Sequence, residues 1–283
     1  MGEALDDLID ILDLEAIEVN IFRGLSPDEN RQRVFGGQVA GQALVAAART
    51  VTEGEVHSLH AYFLRPGDPA VPILYEVDRI RDGKSFTTRR VVAIQHGQVI
   101  FNLQASFCRP EPGLDHQLPI AQDLPEPESL PDFKTRMEPY KHLMGTWYDQ
   151  ARPIDMRYID GMRVQRRDDR RPYQRVWMRT DGDLPPDDHV LHACIVTYAS
   201  DMTLLDTTLL PHGLGWADNS VQMASLDHAM WFHRSFRADH WLLYDQHTPT
   251  TSNGRGLAYG SIYTHDGHLA VTVVQEGLIR PVR

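Results

Sequence analysis

The most constraining feature of this sequence is that its end repeats its middle. Leu74-Tyr75 through Arg109-Pro110 returns as Leu243-Tyr244 through Arg280-Pro281, and Phe63-Leu64-Arg65 returns as Phe232-His233-Arg234. Gly83 is matched by Gly254, and the turn His96-Gly97-Gln98 by Asp266-Gly267-His268. The offset barely moves: 232 − 63 = 169, 254 − 83 = 171, 267 − 97 = 170 and 281 − 110 = 171. So constant a spacing marks one supersecondary unit built twice, and two copies are too few for a solenoid, which needs at least ~3. A length of 283 residues also suits two domains of ~100–200 residues each.

Charge and composition narrow the partners. With 28 basic against 39 acidic side chains the formal charge is −11, the wrong sign for a general nucleic-acid binder. No apolar run approaches the ~18–20 residues of a membrane-spanning helix, so stable membrane insertion is not expected. Met1-Gly2-Glu3-Ala4-Leu5-Asp6-Asp7 is acidic where a signal peptide is basic. The ending Pro281-Val282-Arg283 is not a peroxisomal address. Cys108 and Cys194 are the only cysteines, too few for a disulfide framework or a cysteine-only zinc site. Together these point to the reducing cytoplasm, with no metal or cofactor implied.

The periodicities give each copy the same order. Residues 5–14 follow helical spacing, 17–22 alternate as a strand, and 39–48 carry no charge on any face. A helix that is small or apolar all round must be buried. Strands follow near 56–64, 73–80, 85–95 and 98–108, with turns at Gly83 and Gly97. Seven prolines between Arg109 and Tyr140 forbid a central strand or helix interior there. Residues 1–110, 111–140 and 141–283 are therefore expected to be a first unit, a linker and a second unit. The second starts with a strand near 174–179 and a helix over 189–205 capped by Asp187 or Asp188. Strands near 221–233, 241–248, 256–263 and 268–279 complete it. Each copy is thus one buried helix followed by an antiparallel meander, most simply packed by curling the sheet around the helix.

Few residues announce chemistry by spacing alone. Gly-x-Ser-x-Gly, His-Glu-x-x-His, Walker and Gly-x-Gly-x-x-Gly motifs are absent. Ser225, Asp227 and His228 share one expected strand, where neighbours face opposite ways, so they cannot form a relay among themselves. Asp201 lies beside the apolar stripe Leu191, Ile195, Tyr198, Met202, Leu205 and Leu209. An isolated Asp there normally tips into solvent, and Gln275 read alone is a surface amide. Arg163, Arg166, Arg167, Arg170 and Arg171, interrupted by Asp168 and Asp169, read as a solvated loop more than as a phosphate grip. His228, His233 and His240 read as strand and loop residues.

Several strings nevertheless resemble the acyl-CoA thioesterase II family. They are Tyr198-Ala199-Ser200-Asp201, Ala224-Ser225-Leu226-Asp227-His228-Ala229-Met230-Trp231-Phe232-His233-Arg234 and Val274-Gln275-Glu276-Gly277. Phe35-Gly36-Gly37-Gln38-Val39 and Tyr62-Phe63-Leu64-Arg65-Pro66-Gly67 extend the resemblance over the first half. It implies an α+β double hotdog, two helix-in-a-curled-sheet units side by side. It also implies hydrolysis of fatty acyl-CoA with Asp201, Ser225 and Gln275 gathered around one water, the serine standing where the best-known bacterial members look to have threonine. Acyl-CoA is then the substrate, and association into a homo-oligomer is expected.

The repeat adds that the first copy lacks the base. Helix 39–48 holds no acid, Gln42 being the nearest counterpart of Asp201. Gln104 aligns with Gln275 at the offset 275 − 104 = 171, and Ser225 faces Val56, or Ser58 if two residues are inserted. One site per chain is expected. A hotdog hydratase using His57 or His60, and a non-catalytic acyl-CoA binder, are the alternative readings.

Overall fold

The computed structural model describes residues 2–27, 32–121 and 123–282. Helix α1 (Glu3–Leu12) buries Leu5, Leu8 and Leu12 and leads into β1 (Glu15–Glu18) and β2 (Ile21–Gly24). The expected single strand at 17–22 is thus a hairpin, turned at Asn20 with φ 64°, a left-handed conformation that Asn tolerates better than most side chains. Helix α2 (Gly36–Ala48) is buried from Gly37 to Ala47, as its uncharged circumference requires. Then come β3 (Glu55–Phe63), β4 (Ile73–Asp82), β5 (Phe86–Gln95) and β6 (Gln98–Cys108).

The proline-rich stretch is not bare. It holds α3 (Phe133–Met137), capped by Asp132, and short 3-10 turns up to Tyr148. A satellite core of Met137, Met144, Tyr148 and Val164 forms under them. Pro127 and Pro139 sit at the first positions of such turns, where a missing N–H costs nothing. Strand β7 (Ile154–Tyr158) follows, which the sequence reading omits, and then β8 (Tyr173–Thr180).

The second copy centres on α4 (His189–Ser200), where Asp188 accepts the Leu191 N–H at 2.9 Å. The helix stops at Ser200 instead of reaching 205. Turns through Leu204 and a 3-10 segment, Leu205–His212, replace its last turn, consistent with the low helix preference of Ser200, Asp201 and Thr203. Strands β9 (Val221–Ser225), β10 (Asp227–Phe232), β11 (Leu242–Ser252), β12 (Arg255–Thr264) and β13 (Leu269–Pro281) complete the chain.

All strand pairs are antiparallel, in the order β1-β2-β4-β5-β6-β3-β10-β13-β12-β11-β8-β7, with β9 on β13. The two copies join through β3 and β10, from Asp227 opposite Tyr62 to Trp231 opposite Ser58. Their helices pack on each other inside the curl. A Cβ on Gly37 would lie 2.4 Å from the Tyr198 carbonyl oxygen, so only glycine lets the backbones approach this closely. One apolar core runs through both copies, from Leu5 and Leu44 to Ile195 and Val273. No helix among the described residues is long and apolar enough to cross a membrane.

Candidate active site

The expected strand 221–233 is broken at Leu226, and that break places Ser225. On β13, Ser225 lies opposite Gly277, whereas Ala229 lies opposite Val274. The register sum changes from 225 + 277 = 502 to 229 + 274 = 503, which is a one-residue β-bulge. Asp227 pins the bulge by accepting the Glu276 N–H at 2.7 Å, and the Leu226 N–H bonds the Glu276 carbonyl at 2.9 Å. Ser225 is thereby turned towards the end of α4.

There the three residues singled out above converge. Gln275 Nε2 donates to Asp201 Oδ1 at 2.6 Å and to Ser225 Oγ at 2.8 Å, and Ser225 Oγ donates to Asp201 Oδ1 at 3.2 Å. The two amide protons of Gln275 and the serine hydroxyl account for all three bonds. Gln275 is fully buried and its Oε1 has no protein partner among the described residues. Asp201 and Ser225 open onto a pocket of about 470 Å³, within the usual size of a ligand cleft. Its walls include Phe35, Gly36, Phe63 and Leu226.

Asp201 caps the C-terminus of α4 and meets the N-terminus of α2, where the Gly37 N–H bonds its carboxylate. Its second oxygen, Oδ2, faces Gly36, where a Cβ would come within 2.8 Å. Burial pushes its pKa up to about 6, against the pull of Gln275, Ser225, Gly37 and the Arg33 charge. Such an Asp is ionised at neutral pH yet a better base than an exposed one.

Three further groups stand beside this site, of which only Asp206 lies outside the strings quoted above. Asp206 lines the same pocket, and burial, then the Asp201 charge, pushes it up to about 7. The Gly37 N–H is a backbone group. Ser200 Oγ is 2.8 Å from His228 Nε2, and burial holds that histidine down at about 4, so it is neutral. Ser225, Asp227 and His228 thus go to three different partners.

The structure corrects the alignment of the copies. Gln104 is exposed on the outer face, and Ala105 is the buried residue. Ala105 pairs with Arg89 as Gln275 pairs with Ala258, at offsets 275 − 105 = 170 and 258 − 89 = 169. An alignment off by one residue moves a strand side chain to the opposite face. Val56 opposite Phe107 matches Ser225 opposite Gly277, so Ser58 is not the hydroxyl's counterpart. Gln42 is fully buried and fastens structure: it donates to the Ile11 and Leu25 carbonyls and accepts from Tyr75 Oη. The arginine run is held by its own surroundings, Arg163 on Asp169 and Arg166 on Asp218, and none of it lines the pocket.

Comparison with known proteins bears on this geometry. Residues 154–278 match the family described as acyl-CoA thioesterase, and residues 26–108 its N-terminal domain. Acyl-coenzyme A thioesterase 8 of Homo sapiens is 42% identical over 282 residues, spanning 95% of this chain and 88% of the human protein. The chain belongs to the acyl-CoA thioesterase II family. Among solved structures, acyl-CoA thioesterase II TesB2 from Mycobacterium marinum is 45% identical with a TM-score of 0.80, covering 97% of this chain and 98% of its own. A protein of Alicyclobacillus acidocaldarius described as having a hot dog fold is 19% identical, with a TM-score of 0.79 over 98% of this chain and 99% of its own. That likeness concerns the fold alone, and the fold of this family member is the double hotdog.

Proposed function

We propose that this chain hydrolyses fatty acyl-CoA to free fatty acid and CoA, using Asp201, Ser225 and Gln275 around one water. The observation that carries the reading is the convergence of Ser225 and Gln275, from separate strands, on one Asp201 oxygen within 3.2 Å. In this reading residues 141–283 supply the chemistry and residues 1–110 supply the α2 terminus facing it.

The reaction balances without a covalent intermediate. Asp201 takes a proton from water as the water oxygen bonds the thioester carbonyl carbon. Ser225 Oγ fixes the line of attack, and Gln275, donating to both Ser225 and Asp201, holds the two in place, since position rather than reactivity is what a bound water lacks. The carbonyl oxygen becomes negative, and the N-terminus of α2, where Gly36 lines the pocket, offers a positive dipole end and a backbone N–H to receive it. Collapse breaks the C–S bond, and the thiolate recovers the proton from Asp201. General-base help of this kind is worth ~10²–10⁴-fold.

A hydratase using His60 is disfavoured by its place: the side chain is exposed and lies edge-on to Trp231. His57 bonds Ser106 Oγ at 2.8 Å and lines a different pocket. Release of free thiol from a saturated acyl-CoA tests the reading, because neither a hydratase nor a passive binder produces it. A homo-oligomeric, cytoplasmic enzyme completes the proposal. Sedimentation velocity at micromolar concentration checks the first part, and a species of monomer mass would refute it.

A further inference from the structure

The duplicated architecture has a second pocket, related to the first by the exchange of the two copies. Phe232-His233-Arg234 takes the place of Phe63-Leu64-Arg65, and Val56 takes that of Ser225. Val190 and Ala193 in the first turns of α4 replace Gly36 and Val39 of α2. A site that had merely lapsed would be expected to fill with side chains to interior density. This one is open, at about 600 Å³ against about 470 Å³ for the pocket of Asp201.

Its chemistry is of two kinds. Phe86, Phe232 and Phe236 form an apolar wall, the last two stacked with ring centroids 6.4 Å apart. Around it stand Lys84, Arg109 and Arg234, a local cationic group on a chain of net charge −11. Lys84 makes no ion pair among the described residues. Arg109 pairs with the exposed carboxylate of Glu53 and Arg234 with that of Asp115, partners that phosphate oxygens can displace, while Arg234 is also held by the Leu269 and His116 carbonyls. Glu55 and Glu111 also line the pocket, so recognition rests on individual cations and not on a uniform positive field. An apolar slot beside such cations suits a long alkyl chain joined to a phosphorylated carrier.

We propose that this pocket is a second acyl-CoA site that binds the thioester without hydrolysing it. The inference rests on the proposed acyl-CoA chemistry. The counterparts of the hydroxyl and the amide are Val56 and Ala105, and α2 carries no carboxylate. A thioester held there faces Glu55, Glu111, His57, His189 and His233 but no carboxylate tied to a hydroxyl and an amide as in the Asp201 cluster, and it stays intact.

The test is the binding stoichiometry of a non-hydrolysable S-dodecyl thioether of CoA, measured by isothermal titration calorimetry. Two molecules should bind per chain. Lys84→Glu should weaken one site, and Val190→Trp should fill it, because Val190 is 40% exposed and leans into the pocket. Thiol release from dodecanoyl-CoA by either variant should stay within about twofold of wild type, as the sites are separate. One molecule per wild-type chain, or two undiminished sites in both variants, would overturn the proposal. A chain that releases thiol but binds one analogue sinks this inference alone. One that binds two and releases none sinks the hydrolytic reading instead.

Discussion

Replacing Asp201 with Asn should stabilise the protein, and by an amount that depends on pH. The carboxyl is moved from 3.8 to about 6 mainly by burial. At about 1.4 kcal/mol per pH unit, the ionised form costs the folded state up to about 3 kcal/mol, less whatever the open side of the pocket screens. The sign follows from proton binding. Between about pH 4 and 6 the folded chain holds this proton more tightly than the unfolded chain, so stability falls as pH rises through that window. Above it the cost is constant, and below it the cost vanishes. Asn has no such titration and keeps an oxygen for the Gln275 and Ser225 donors. Urea denaturation followed by tryptophan fluorescence should therefore give midpoints separated by roughly 1 M at pH 7.5, the variant higher, and by only about a third of that near pH 4.5. A gap that is the same at both pH values, or a less stable variant at pH 7.5, would refute the assignment of a desolvated carboxylate here.

Other outcomes follow from the same geometry. If ionised Asp201 is the base, kcat should rise with pH through about 6 and level off above it; a flat profile from pH 5 to 8 contradicts this. Ser225→Ala removes a hydroxyl hydrogen-bonded to a carboxylate and should lower kcat roughly ten- to a hundredfold, while Ser225→Thr keeps most activity. Equal activity in both variants would show that the hydroxyl does nothing. Gly37→Ala would push a methyl to 2.4 Å from the Tyr198 carbonyl and should cost about 1–3 kcal/mol. Its thermal midpoint should drop by several degrees, and an unchanged midpoint would mean that the helices are not so closely packed.

Much of the fold was legible because duplication and glycine turns are one-dimensional signals. The buried circumference of α2 and the meander after it could be read directly. What escaped reading depends on registers that no period reports. The bulge at Leu226 looks like an ordinary strand residue, yet it aims Ser225 at Asp201. Gln104 and Ala105 differ by one position, and only the pleat decides which faces inward. The site residues themselves came from resemblance, since an Asp ending a helix and a Gln in a strand are bland by spacing. Asp206 was hidden by the assumption that α4 ran to 205; stopping at Ser200 is what carries it into the pocket. The satellite core around Met137 and Tyr148 lies beneath a proline density that forbids a long helix or a central strand but not short turns.

The central claim is that one carboxylate, in one copy, activates the water. Single-turnover thiol release from saturated acyl-CoA, wild type beside Asp201→Asn, tests it most directly. The wild type should release one thiol per thioester consumed, and the variant should do so at least about a hundredfold more slowly, while binding the thioether analogue as tightly. Thiol release by the variant within tenfold of wild type would contradict the account.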